Sequence, residues 1–241
     1  MWPHCTQEQR RGHPVVSLAA QKHHTALYLT APYTDPALDG RIRQAYAEAG
    51  KRLDWIKPYS KVKDVSFAPG NISIKWFEDG ELNVAANCVD RHLATRGDQT
   101  AIIWEPDDPA NAALHISYRD LHRAVCKMAN VLKDLGVGKG DRVIIYMPMV
   151  PEALEAMLAC GRIGAIHSVV FGGFAAHELA VRIDDAQPKA IIAASCGLEP
   201  GRVVHYKPLL DGAIEQASHK PDFCVIFQRE QEVAKLTEGR D

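Results

Sequence analysis

The sequence predicts an α/β fold: a mostly parallel sheet flanked by helices, preceded by an irregular N-terminal extension. Three observations carry this. Apolar runs of four to six residues recur through the second half, as in Arg142–Met147, Ala165–Val170 and Lys189–Ala194. Stretches of ten to eighteen residues with helical spacing separate them. The runs lack polar alternation, so both faces of each strand are buried, as in a parallel sheet covered by crossover helices. The crossovers are expected to be right-handed. A chain of 241 residues, 46% hydrophobic, can bury one substantial core.

Residues 1–40 differ from the rest. Pro3, Pro14, Pro32 and Pro36 interrupt them, and apolar periodicity is weak, so a poorly ordered arm is expected. From Arg41 helix formers take over, ending near Gly50. Residues 57–77 read as an extended segment turning at Ala68-Pro69-Gly70-Asn71, with Ile72, Ile74 and Trp76 alternating as a short strand. Residues 41–80 form a second region, and 81–241 the start of a large α/β domain. Leu82–Thr95 is expected to be helical through Leu82, Ala86, Val89 and Leu93. Strands at Ala101–Trp104 and His115–Tyr118 follow, then a helix from Tyr118 to Leu135 with Leu121, Val125, Met128, Ala129 and Leu132 on one face. Next come a strand at Arg142–Met147 and a helix opened by Pro151, which is tolerated in a first turn. A strand at Ala165–Val170, a helix at Ala176–Ala186, a strand at Lys189–Ala194, a helix at Tyr206–Ala217 and a strand at Phe223–Phe227 complete the reading.

Composition excludes several classes. A net charge of -2 offers no basic footprint for nucleic acid. No apolar run approaches the ~20 residues of a membrane span, and the opening MWPHCTQEQRR leads into no apolar signal region. The six cysteines are scattered without a C-x-x-C pair, which reads as reduced, mostly buried thiols in a cytoplasmic protein. His23-His24 has no second ligand pair nearby, so no metal site is expected.

The glycines of Leu135–Asp141 follow a helix and precede a strand, the reverse of a phosphate-binding turn. They read as a helix stop at Gly136 and a tight turn. Phe171-Gly172-Gly173-Phe174 is different, lying between a strand and a helix at the sheet's carboxyl edge. The paired glycines there admit either a ligand close to the backbone or close packing of helix on strand. Arg202, after the next strand, is either a phosphate clamp or a solvated surface residue. Cys196, His167 and His177 lack partners in the sequence pattern, and Asp184-Asp185 beside Arg182 reads as a charged helix end with weak ion pairs.

Several blocks together resemble the AMP-forming acyl-CoA synthetases of the acetyl-CoA synthetase type. They are KRLDWIKPYSKVKDVSF, SIKWFEDGELNVAANCVDRHL, TAIIWE and YMPMVPEALEAMLACGRIGAIHSVVFGGF. The resemblance runs from about Gly50 to Asp241. After about residue 174 the wording is more similar to the propionyl-CoA synthetase branch. It implies the N-terminal portion of the adenylate-forming enzyme fold. It also implies a ligase that joins acetate or propionate to CoA through an acyl-adenylate, using ATP and Mg. The resemblance places the adenine-ribose end of CoA against Phe171, Gly172 and Gly173. It aligns Glu199-Pro200-Gly201-Arg202 with an Arg-Ala-Gly-Arg loop near the CoA 3′-phosphate; Arg202 matches and Glu199 does not. A phosphate loop of the form TSGSTGKPKG does not occur in these residues. The resemblance therefore implies no catalytic residue here, and makes the missing C-terminal part of the same enzyme the chain's natural partner. A non-catalytic CoA- or nucleotide-binding module is the alternative. A nicotinamide oxidoreductase is disfavoured by the missing glycine fingerprint.

Overall fold

The computed structural model describes residues 16–21, 24–29, 36–68, 70–108 and 110–241. Two compact units divide the chain, Met1–Leu82 and Asn83–Asp241.

In the first unit, β1 (Val16–Gln21) and β2 (His24–Leu29) pair antiparallel within the stretch expected to be an arm. The arm expectation for the remainder of residues 1–35 lies outside the described residues. Helix α1 (Pro36–Gly50) begins five residues before Arg41. Pro36 is accepted there because a first-turn N–H has no helical partner. Asp39 supports the start, with a carboxylate that suits the helix N-terminus. It accepts hydrogen bonds from Lys63 and, at 2.6 Å, from Arg43, which together hold its pKa below the usual range. Strands β3 (Lys63–Ala68) and β4 (Asn71–Trp76) form the expected hairpin. At its open end Lys63 is buried, with Nζ 5.7 Å from the centre of the Trp76 ring, and Tyr46 packs on that ring at 4.2 Å. Toward the tip the apolar face is uncovered: Ile72 is 73% exposed and Ile74 57%.

In the second unit, the expected helix over Leu82–Thr95 is broken into α2 (Val84–Cys88), a 3-10 turn at Asp90–His92 and α3 (Leu93–Arg96). Asn83 caps α2, accepting from the Ala86 N–H. The break falls where Asp90 turns to accept two hydrogen bonds from Arg162, a distant partner that outweighs helical propensity. Strands β5 (Thr100–Trp104) and β6 (Leu114–Ser117) pair antiparallel and stand apart from the main sheet. Ser117 then caps α4 (Tyr118–Asp134), whose inner face buries Leu121, Val125, Ala129 and Leu132.

The main sheet is parallel and four-stranded, in the order β12-β9-β7-β8. Its strands are β7 (Arg142–Met147), β8 (Ile166–Phe171), β9 (Ala190–Ala194) and β12 (Phe223–Phe227). Helix α5 (Pro151–Ile163) carries the chain from β7 to β8, and Gly164 ends it in the left-handed conformation. Helix α6 (Ala176–Ala186) then leads back past β7 to β9 on the other side. Strand order therefore reverses beside β7, and the carboxyl ends there form the crevice where open α/β sheets bind ligands. Helices α4 with α5, and α6 with α7 (Tyr206–Gln216), pack as pairs around the core. Between β9 and α7, where the sequence predicts no strand, lies a hairpin of β10 (Cys196–Glu199) and β11 (Arg202–His205).

The two sheet edges differ. β8 has no further strand beside it among the described residues, and Ile166, Val169 and Phe171 on it are exposed. On β12, the Cys224 N–H donates to the Arg240 carbonyl at 2.7 Å, so the chain's own last residues occupy part of that edge.

The described cysteines are free, and three of them, Cys160, Cys196 and Cys224, are fully or nearly fully buried. Burial pushes the Cys160 and Cys224 thiols up to about 12, which suppresses the nucleophilic thiolate. Iodoacetamide is expected to label Cys88 and Cys126 in the native protein, and the other three only after denaturation. Peptide mapping by mass spectrometry tests this; native labelling of Cys224 at the rate of Cys88 would contradict the packing.

Candidate functional site at the sheet's carboxyl edge

Phe171, Gly172 and Gly173 stand at the end of β8. Phe171 is 68% exposed and has Phe174 as a ring neighbour at 5.8 Å. Gly173 adopts φ +89°, a conformation that favours glycine. Gly172 is needed for a different reason. A Cβ on it would lie 2.5 Å from the Tyr206 hydroxyl oxygen and 2.9 Å from the Met147 carbonyl oxygen. Gly197 on β10 is crowded by the same phenol. Of the two readings open for the glycine pair, close packing accounts for Gly172. The exposed Phe171 ring and the part-exposed Gly173 are what the turn offers outward.

Two tyrosines hold the turn from beneath. Tyr146, the one polar side chain in the run VIIYM, donates from its hydroxyl to the Phe174 carbonyl at 2.8 Å. Its ring centre lies 5.1 Å from that of Tyr206, the first residue of α7. Burial pushes the Tyr146 phenol up to about 12. Burial also raises the Tyr206 phenol, with the nearby Arg229 charge opposing the shift. Both are therefore neutral hydrogen-bond donors at physiological pH.

Arg229 ties the neighbouring strand ends together. It is 7% exposed, donates to Asp107 at 3.0 Å and to the Cys196 carbonyl at 3.4 Å, and its backbone N–H donates to Ser195 Oγ at 2.8 Å. These interactions link the ends of β9, β10 and β12 to the segment between β5 and β6.

Arg202 opens β11, and its guanidinium is already engaged. Nε and Nη2 both donate to Glu199 Oε2, at 2.8 and 2.5 Å. The pair borders a cleft of about 620 Å³ that also holds Asp107 and Asp108. Asp107 is paired with Arg229 and Glu199 holds Arg202, so an anion entering must displace Glu199 from Arg202. Arg202 and the glycine turn are linked through Tyr206, which follows β11 directly and touches Gly172.

The other residues weighed from sequence lie apart from this arrangement. His167 and His177 are exposed, and Cys196 is packed in the core. Arg182 pairs with Glu178 at 3.1 Å and lies 4.9 Å from the Phe174 ring, rather than pairing with Asp184 or Asp185. Asp184 accepts from the His219 N–H. Gly136 takes φ +76° after α4, as the helix-stop reading requires. A second cleft, about 550 Å³, sits at the opposite end of the sheet beside Cys126, Lys133 and Arg162. Asp90 neutralises Arg162 there. Among the described residues no group of three His, Cys, Asp or Glu side chains is placed to hold a metal ion, and no helix is long and apolar enough to cross a membrane.

Sequence reasoning identified the glycine turn and Arg202 but missed Tyr146, Tyr206 and Arg229. A lone tyrosine inside an otherwise aliphatic strand was the available signal for Tyr146. Tyr206 and Arg229 gain their roles only from tertiary neighbours.

Comparison with known proteins gives a consistent pattern. The family model "Acetyl-coenzyme A synthetase N-terminus" matches residues 44–88, and the model "AMP-binding enzyme" matches residues 89–239. Acetyl-coenzyme A synthetase of Methylorubrum extorquens (strain PA1) is 57% identical over 197 residues, covering 81% of this chain and 30% of the relative. The protein of the same name from Serratia proteamaculans (strain 568) is 58% identical over the same extent. The chain thus spans about 30% of the length of these curated relatives. Among solved structures, acetoacetyl-CoA synthetase from Streptomyces lividans superposes with a TM-score of 0.70 at 22% identity, over 82% of this chain and 29% of that one. That likeness bears on the fold.

Proposed function

The chain belongs to the AMP-binding enzyme family, and on that premise we propose that it is the N-terminal part of an AMP-forming acetate– or propionate–CoA ligase. The observation that carries the reading is the order of the two family matches. Residues 44–88 and 89–239 adjoin without a gap, the first matching the model described as the acetyl-coenzyme A synthetase N-terminus. The parent enzyme would condense the carboxylate with ATP to an acyl-adenylate, releasing pyrophosphate, and the CoA thiol would then displace AMP. Mg would serve the adenylation step, and the described residues offer no cluster of three ligands to hold it. This part of the enzyme would supply the sheet and one wall of the CoA site. The exposed Phe171 ring suits stacking against adenine, and Gly173 admits a ligand close to the backbone. Arg202 would meet a phosphate only after release from Glu199. A cytoplasmic location, where ATP and CoA are supplied, accompanies the reading.

The isolated chain is expected to bind CoA saturably and to form no acyl-CoA from acetate or propionate with MgATP. Thioester formation by the purified 241-residue chain would overturn the division of labour. A flat CoA titration would overturn the CoA wall. The second reading is a truncated, non-catalytic module that binds CoA or nucleotide; the pairing of Arg229 with Asp107 across the strand ends supports an ordered edge there. It predicts that adding the remaining portion of a related synthetase in trans leaves the chain inactive.

A further inference from the structure

We propose that the Tyr206 hydroxyl is a ligand-binding group of the glycine-turn site, donating a hydrogen bond to an acceptor on the adenine-ribose end of CoA. The proposal rests on the CoA reading above and adds a side chain that the family-aligned positions do not include. Tyr206 is 5% exposed, and its ring is fixed by Tyr146 on one side and by Gly172 and Gly197 on the others. A buried tyrosine hydroxyl ordinarily finds a hydrogen-bond partner. No described residue hydrogen-bonds this one, whereas the hydroxyl of the adjacent Tyr146 is used by the Phe174 carbonyl. Yet Tyr206 is not sealed in. Among the described residues the sole buried side-chain polar atom without a partner is Arg162 Nε, far from this turn. The Tyr206 hydroxyl therefore retains some solvent-accessible area within a residue that is otherwise buried.

Glycine backbone crowds the hydroxyl, with the charges of Arg229, Glu199 and Asp107 near enough to act on it. A Cβ on Gly172, Gly173 or Gly197 would fall within 4 Å of the phenol, and none of the three has a side chain to cover it. The hydroxyl thus stands at the floor of the turn, with the Phe171 ring exposed at its rim. A flat ring stacked on Phe171 and a hydrogen-bond acceptor above Tyr206 are the two contacts of one nucleotide. The raised pKa keeps the phenol protonated, and so a donor, across physiological pH.

The test titrates CoA into the wild-type chain, Tyr206→Phe and Phe171→Ala by calorimetry, with thermal melts as controls. Tyr206→Phe keeps the ring in place and is expected to melt near the wild type. CoA affinity is expected to fall about five- to tenfold, the loss of one net hydrogen bond. In protein labelled with ¹³Cζ-tyrosine, one resonance absent from Tyr206→Phe should move on CoA addition. Phe171→Ala should also weaken binding. If Phe171→Ala weakens binding while Tyr206→Phe leaves it unchanged, the CoA reading stands and the Tyr206 proposal falls. If both variants bind as the wild type does, CoA sits elsewhere and the proposal falls with the site. If the wild type shows no saturable binding, both readings fall.

Discussion

Gly172→Ala is expected to lower the stability of the chain by about 2–3 kcal/mol, at the upper end of overpacking costs. The new methyl would stand 2.5 Å from the Tyr206 hydroxyl oxygen, 2.7 Å from its Cε2 and 2.9 Å from the Met147 carbonyl oxygen. Neither neighbour can yield cheaply. Met147 belongs to β7, the strand flanked on both sides in the sheet. The Tyr206 ring is held against Tyr146 at 5.1 Å and is already close to Gly197. The cause is steric, since Gly172 does not share the positive φ of Gly173. This separates two substitutions in one turn: Gly173→Ala carries backbone strain of about 1–2 kcal/mol, while Gly172→Ala carries a clash with a named ring. The double variant Gly172→Ala/Tyr206→Ala should then be more stable than the sum of its single changes, because the ring that clashes is gone. Urea unfolding of all four proteins measures the coupling. Additivity within about 0.5 kcal/mol, the behaviour of independent sites, would show that the ring is not what Gly172 accommodates.

Lys207→Met is expected to cost about 2–4 kcal/mol at neutral pH, and the cost should shrink in acid. Lys207 is 4% exposed and donates to Asp211 at 2.8 and 2.7 Å and to Thr237 at 3.1 Å, with Asp241 3.0 Å away. Removing one member of a buried ion pair leaves its partner uncompensated. Arg240, which holds both Asp211 and Asp241, keeps the cost below the full range. Burial alone would raise the Asp241 carboxyl. Hydrogen bonds from Arg240, the Thr237 N–H and Lys207 outweigh it and hold the group at about 2. Its folded pKa is thus below its unfolded value of about 3.9. The stabilisation is complete above the unfolded value, declines below about pH 4, and is lost as pH falls through 2. Part of that stabilisation belongs to Lys207, so the gap between wild type and Lys207→Met should narrow from pH 7 to pH 3. Urea midpoints at the two values decide it; a constant or widening gap would mean that the carboxylates do not depend on this ammonium.

The parts of the fold readable from sequence are those in which local pattern and tertiary burial agree. β9 is an uninterrupted apolar run and β7 is one apart from Arg142 and Tyr146, and their shortness and β-branched content mark them as buried strands rather than helix segments. α4 combines a capping Ser117 with a one-sided apolar face, and Gly136 marks its end. The failures have distant causes. The break near Val89 follows the engagement of Asp90 by Arg162, from a helix 72 positions away. The β10–β11 hairpin has strands of four residues without alternation, too short for a periodic signal. In β4 the alternation of Ile72, Ile74 and Trp76 showed a face but not its cover, which reaches Trp76 and stops. At the candidate site the glycine pair was visible as a departure from strand and helix composition. Tyr206 was not, because its significance requires Gly172 and Gly197, far apart in sequence, to meet around one ring.

The unequal edges of the main sheet set a limit on self-association. Strand addition needs an accessible row of backbone amides and carbonyls. Among the described residues β8 offers one, whereas part of β12's outer rim is taken by the Arg240 carbonyl. A sheet open along one edge and obstructed along the other can add a strand on one side alone, and that addition uses up the open edge. Strand addition to the second unit's sheet is therefore self-limiting after one step, where two open edges would allow it to propagate.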